Sequence, residues 1–114
     1  MVTITTKHSL DERELCIEAK GHAGYAEAGK DIVCASVSIL LYTLAQSVME
    51  LYEFGRLDEE PIVNLDEGNA CIKCRCEDYR AFTEASQNFS LIEGGFSLLA
   101  DNYPQYLSLH TDFT

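Results

Sequence analysis

The segment Leu15-Cys16-Ile17-Glu18-Ala19-Lys20-Gly21-His22-Ala23-Gly24-Tyr25-Ala26-Glu27-Ala28-Gly29-Lys30-Asp31-Ile32-Val33-Cys34-Ala35-Ser36-Val37-Ser38 changes its repeat partway along, and that change sets the fold class. Up to Lys20, the apolar residues Leu15, Ile17 and Ala19 alternate with Cys16, Glu18 and Lys20, which is the period of a strand with one buried face. From Asp31 onward, Val33, Val37, Leu40, Leu41, Leu44, Val48 and Leu51 recur at helical spacing, which predicts a helix from Asp31 to Phe54. Few charges interrupt it before Glu50, so it reads as a central, largely buried helix. Asp31 reads as its N-cap, with the carboxylate accepting the backbone N–H of Cys34, and Gly55 reads as its stop. A glycine-punctuated loop separates the two periods and leaves His22 at a strand end.

Outward from this segment the remaining elements follow. Val2 to Thr6 alternate and are rich in β-branched residues, so they form a first strand, turned by His8-Ser9-Leu10-Asp11-Glu12 into a hairpin with the second. Ile62, Val63 and Leu65 make a short strand. Asp66-Glu67-Gly68-Asn69 supplies turn chemistry before another strand from Ala70 to Cys76. Ala70, Ile72, Cys74 and Cys76 share one face of that strand, and Cys71, Lys73 and Arg75 share the other. A last helix from Tyr79 to Asn102 carries Phe82, Ala85, Phe89, Ile92, Phe96, Leu99 and Tyr103 as a buried stripe. Gly94-Gly95 within it marks close packing or a bend. Pro104 ends the helix, and Leu107 with Leu109 begins a final strand. The order ββαββαβ defines an α+β domain with two long helices on a mostly antiparallel sheet, one domain over residues 1–114.

The 114 residues are 46% hydrophobic and 24% charged, which is globular rather than disordered composition. The formal net charge of −11 argues against a nucleic-acid binder, which must neutralise phosphates with Lys and Arg. It suits a basic protein partner. No apolar run is expected to reach the length of a membrane span, and Met1 to Thr6 lack the basic start and apolar stretch of a signal peptide. Five cysteines form an odd set without a secretory signal, so reduced thiols and a cytoplasmic location are expected.

The loop joins two groups with matching chemistry. Cys34 lies near the start of a helix, where the partial positive charge of unpaired N–H groups favours a thiolate. His22 lies across the loop and would take the thiol proton, hold the thiolate as an ion pair, and return the proton to a departing amine. Backbone amides at the helix start would hold the oxyanion of a tetrahedral intermediate. Asp31 would orient the imidazole or cap the helix. Ser38, one turn after Cys34 on the same face, either donates a hydrogen bond near the thiolate or simply packs. Gly21, Ala23, Gly24, Tyr25, Gly29 and Lys30 form a substrate loop that would order over a bound peptide. The arrangement reads as a cysteine-peptidase site that needs no metal or other cofactor.

Gly21-His22-Ala23, Gly29, Asp31-Ile32-Val33-Cys34-Ala35 and Ser38 together resemble the signature of the ribosomal-processing cysteine protease family, Prp. The resemblance extends along the chain through length, acidity and the ββαββαβ order. It implies Cys34 as nucleophile and His22 as base, with Asp31 and Ser38 in support. It implies a homodimer, and a basic large-subunit ribosomal protein precursor whose short N-terminal extension is removed after an aromatic, hydrophobic segment.

Three rival readings stand beside this one. A non-catalytic acidic module that binds a basic ribosomal protein would account for the charge but not for the Gly-His and Asp-Ile-Val-Cys arrangement. A thiol redox protein would need a resolving cysteine beside Cys34, and no Cys-x-x-Cys motif includes that residue. Cys71-Ile72-Lys73-Cys74-Arg75-Cys76 has the spacing of a metal knuckle, with Cys16 as a fourth thiolate. Strand alternation opposes that last reading, because it turns Cys71 away from Cys74 and Cys76.

Overall fold

The computed structural model describes residues 1–22 and 30–114, with the side chains of Lys30 and Asp31 not described. The elements run β1 (Val2–Ser9), β2 (Glu14–Lys20), α1 (Lys30–Glu53), β3 (Ile62–Asp66), β4 (Asn69–Arg75), α2 (Tyr79–Asn102) and β5 (Leu107–Phe113). This is the predicted ββαββαβ order, an α+β fold. The five strands form one sheet in the order β3-β4-β2-β1-β5. Three of its four pairings are antiparallel, and the fourth, β1 with β5, is parallel.

Alternation decides the two sheet faces. Val2, Ile4 and Thr6 on β1, Leu15, Ile17 and Ala19 on β2, and Ala70, Ile72 and Cys74 on β4 are buried. They pack with Val33, Leu44 and Val48 of α1 and Phe82, Phe89 and Phe96 of α2 in one core. The other sheet face carries Cys16, Glu18, Cys71 and Lys73, all half-buried. Burial of each large core side chain contributes about 1.5–3 kcal/mol. Cys74 and Cys76 lie in the core as small apolar residues. The hydrogen bond between them and burial hold the Cys74 thiol well above its ordinary range.

Both helix ends have local causes. Asp78 caps α2, its carboxylate accepting from the Ala81 N–H. Gly55 follows α1 at φ 74°, and the N–H of Arg56 returns to the Leu51 carbonyl at 2.9 Å, the left-handed C-terminal turn that glycine favours. The Gly94-Gly95 pair does not break α2. A Cβ at Gly95 would come within 2.7 Å of the Leu40 side chain, so the glycine lets α1 and α2 close on each other within one chain.

Two expectations change. α1 begins at Lys30 and not after Asp31, so Asp31 lies inside the first turn and is not the N-cap. The expectation that no apolar run reaches membrane length is also revised. Ile32–Glu53 is long and apolar enough to cross a membrane by length and composition, with a mean hydropathy of 1.8. In this fold its Val33, Leu41, Leu44 and Val48 are buried in the domain core, which is why a core helix meets the same criterion.

Candidate active site

The start of β1, the end of β2 and the β3–β4 turn meet at one end of the sheet. Gly21 leaves β2 at φ 98°, and a Cβ there would lie 2.3 Å from the Met1 carbonyl oxygen, so only glycine fits. Its N–H donates to the Gly68 carbonyl at 3.0 Å and ties β2 to the β3–β4 turn. The Met1 ammonium donates to the His22 carbonyl at 2.7 Å. The backbone around His22 is thus held from both sides.

The imidazole itself lies against the same turn. A Cβ on Gly68 would come within 2.4 Å of His22 Nε2 and 2.5 Å of Cε1. Gly68 therefore meets two demands at once: a left-handed φ of 79° in the turn, and room for the His22 ring.

Helix α1 supplies the other half. Cys34 is exposed, and with His22 it lines a cleft of about 340 Å³. Cys34, Ser38 and Tyr42 lie four residues apart along α1 and border the same cleft, as helical geometry requires. Val37 and Leu41 of α1, Val2 of β1 and Leu65 of β3 give it an apolar lining. Asp66 and Glu67 add two carboxyl groups from the β3–β4 turn.

Cys34 lies one turn inside α1, which starts at Lys30. The unpaired amides of the helix start precede it. Oxyanion donors from α1 would come from those residues and not from the amides that follow the thiol.

The fold brings His22, Cys34, Ser38 and Gly21 of the expected site to one cleft. Ala23, Gly24, Tyr25 and Gly29, together with the expected ordering of their loop, lie outside the described residues. So do the side chains of Lys30 and Asp31. Sequence reasoning missed Gly68, Tyr42, Asp66 and Glu67. Asp66-Glu67-Gly68-Asn69 was legible as a turn, but its contact with His22 depends on the β2–β4 pairing, across 46 residues of sequence for His22 and Gly68. Tyr42 had a usable signal, because it extends the Cys34–Ser38 spacing by one more helical turn.

A thiol and an imidazole facing one cleft are the side chains that a cysteine protease uses. The sequence model of the family described as cysteine protease Prp matches residues 1–108, so the chain belongs to that family. The chain is 34% identical over 67 residues to the ribosomal processing cysteine protease Prp of Bacillus subtilis strain 168, a match covering 59% of this chain and 55% of that protein. Among solved structures, SMU.848 from Streptococcus mutans superposes with a TM-score of 0.68 at 25% identity, covering 100% of this chain and 96% of that one. The S. aureus ribosomal processing protease Prp, solved with a covalently linked product peptide, superposes with a TM-score of 0.71 at 24% identity, covering 97% and 99% of the two chains. The latter likeness is one of fold.

Proposed function

We propose that this protein is a cysteine endopeptidase in which Cys34 is the nucleophile and His22 the general base and acid. The observation that carries the proposal is the convergence of an exposed thiol from α1 and an exposed imidazole from the end of β2 on one cleft. His22 takes the thiol proton as Cys34 Sγ attacks the scissile carbonyl. It then returns the proton to the leaving amine, and water releases the acyl group from sulfur. Ser38, one turn from Cys34, and Asp31, in the first turn of α1, support the pair.

The substrate is a basic large-subunit ribosomal protein precursor, cut to remove a short N-terminal extension. Membership of the Prp family supports this assignment. The cleft suits such a peptide: Val2, Val37, Leu41 and Leu65 offer apolar contact to its hydrophobic segment, while Asp66, Glu67 and the net charge of −11 favour a basic partner. The enzyme acts in the cytoplasm as a homodimer. Five free cysteines agree with a reducing compartment, and Ile39 of α1 with Leu91 and Leu98 of α2 remain exposed on the helices for a second copy to cover.

Mass spectrometry of a peptide carrying a ribosomal N-terminal extension, incubated with the wild type and with Cys34→Ala, tests the reading. A single cut made only by the wild type is the expected result. An uncut peptide that nevertheless binds, with affinity falling steeply in salt, would assign the chain instead to an acidic binding module.

A further inference from the structure

The knuckle spacing along β4 and just beyond it does not gather Cys71, Cys74 and Cys76, because alternation sends Cys74 to the core and Cys71 to the opposite sheet face. That opposite face has its own cluster. Cys16 and Glu18 are two residues apart on β2 and so project from the same face. Cys71 on β4 is paired directly with Glu18 and lies diagonally from Cys16. One ligand atom from each of the three lies within 4.8 Å of the others, and all three residues are half-buried.

We propose that Cys16, Glu18 and Cys71 form a binding site for a thiophilic divalent cation of the zinc type, on the sheet face opposite the helices. Two ligands at alternate positions of one strand and a third on its neighbour present three donors to one point above the sheet. Around zinc, with Zn–S of about 2.3 Å and Zn–O of about 2.0–2.2 Å, tetrahedral donors stand roughly 3.5–3.8 Å apart. Side-chain rotation of about 1 Å closes the cluster to that size, and water takes the fourth position. Two thiolates and a carboxylate select a zinc-like ion over magnesium or calcium, which prefer all-oxygen sites.

Binding releases two protons, one from each thiol, and changes no oxidation state. Each thiol must lose its proton to bind the ion, so affinity rises with pH. The charged groups around the cluster are Lys7 of β1, paired directly with Cys16, Lys20, whose Nζ lies 3.7 Å from Glu18 Oε2, and the Lys73–Glu14 pair at 3.5 Å. The Lys20 contact is exposed and gives way at little cost. The site is separate from the cleft, so its loading and peptide cleavage are independent readouts.

Cadmium, a spectroscopic stand-in for zinc, tests the proposal on the full chain carrying Cys34→Ser to remove the cleft thiol. Ultraviolet thiolate-to-cadmium absorption and calorimetry should report one ion per chain with two thiolate ligands. Cys16→Ser and Cys71→Ser should each remove the absorption, and Glu18→Gln should weaken binding about 10-fold while leaving it. Circular dichroism of the metal-free variants separates loss of ligand from loss of fold, and Glu18→Gln keeps the test open if a serine variant unfolds. Absorption retained in Cys71→Ser, or no binding at micromolar cadmium, would overturn the site. A mass loss of two hydrogens joining Cys16 to Cys71 under mild oxidation, without metal binding, would overturn it in favour of a disulfide.

Discussion

The two ends of β1 each hold a histidine, and the two are used in opposite ways. At the end where β1 starts, His22 is exposed, lies against Gly68 and shares an open cleft with Cys34. At the end where β1 finishes, His8 is 4% exposed and fully engaged. Its Nε2 faces the Glu93 carboxylate, with Oε2 at 2.9 Å and Oε1 nearer still, and its Nδ1 lies 2.9 Å from Ser86 Oγ. Thr6 Oγ1 donates to the same carboxylate at 3.0 Å. Phe113 stacks on the ring at 4.8 Å and Phe89 meets it edge-on.

Ser86, His8 and Glu93 thus reproduce the hydroxyl, imidazole and carboxylate series of a hydrolase. They still lack what chemistry needs. Ser86 sits in the middle of α2, where backbone amides are committed to the helix and none is free to hold an oxyanion. The comparison sets a hydrogen-bonded series against the proposed active site. The buried end satisfies its polar groups completely, with no orphaned buried side-chain atom among the described residues. The cleft end leaves His22 and Cys34 exposed.

Substitutions should divide along the same line. The largest effect belongs to Cys34→Ala, which should lower cleavage by at least about 10⁴-fold while leaving the thermal midpoint in place, read by peptide turnover and by calorimetry. Next is Glu93→Ala, which leaves a buried imidazole nitrogen without its partner. It should cost about 1–3 kcal/mol in denaturant unfolding, with turnover per folded molecule unchanged; altered turnover in the folded fraction would show that the two ends are coupled. Gly68→Ala should lower kcat by about 10²-fold, because the added methyl must displace the His22 ring. Its stability loss should stay near about 1 kcal/mol from the left-handed backbone, so a large stability loss with normal turnover in the folded fraction would cancel the positioning role. The smallest is Ser86→Ala, expected to cost about 1 kcal/mol with no change in cleavage, which checks that this hydroxyl does only structural work.

The sequence displayed the elements because their causes are local. The α2 stripe from Phe82 to Phe96, the alternation in β2 and β4, and the stop at Gly55 are each written within a few turns or residues. The start of α1 was misplaced by one residue, because Asp31 suits both a cap and a first turn. Its apolar length was also underestimated, since exposed Ile32 and Ile39 add hydropathy beyond the buried stripe. Among the residues lining the cleft, His22, Cys34 and Ser38 were singled out from spacing and family resemblance. Gly68 was not, because its partner is set by strand pairing. The same holds for Cys16: the strand pattern separated Cys71 from Cys74, but only the β2–β4 register places Cys71 beside Glu18 and near Cys16.

The parallel pairing of the first strand with the last has a consequence during synthesis. β1 sits between β2 and β5 in the sheet, and Val2, which lines the cleft, is paired with Leu107. The β1–β2 hairpin can form as soon as those strands leave the ribosome. Its outer edge stays unpaired until some ninety residues later, when β5 emerges to close it. The cleft wall is therefore finished last, so a nascent chain stalled before residue 107 should be far more sensitive to protease than the released protein.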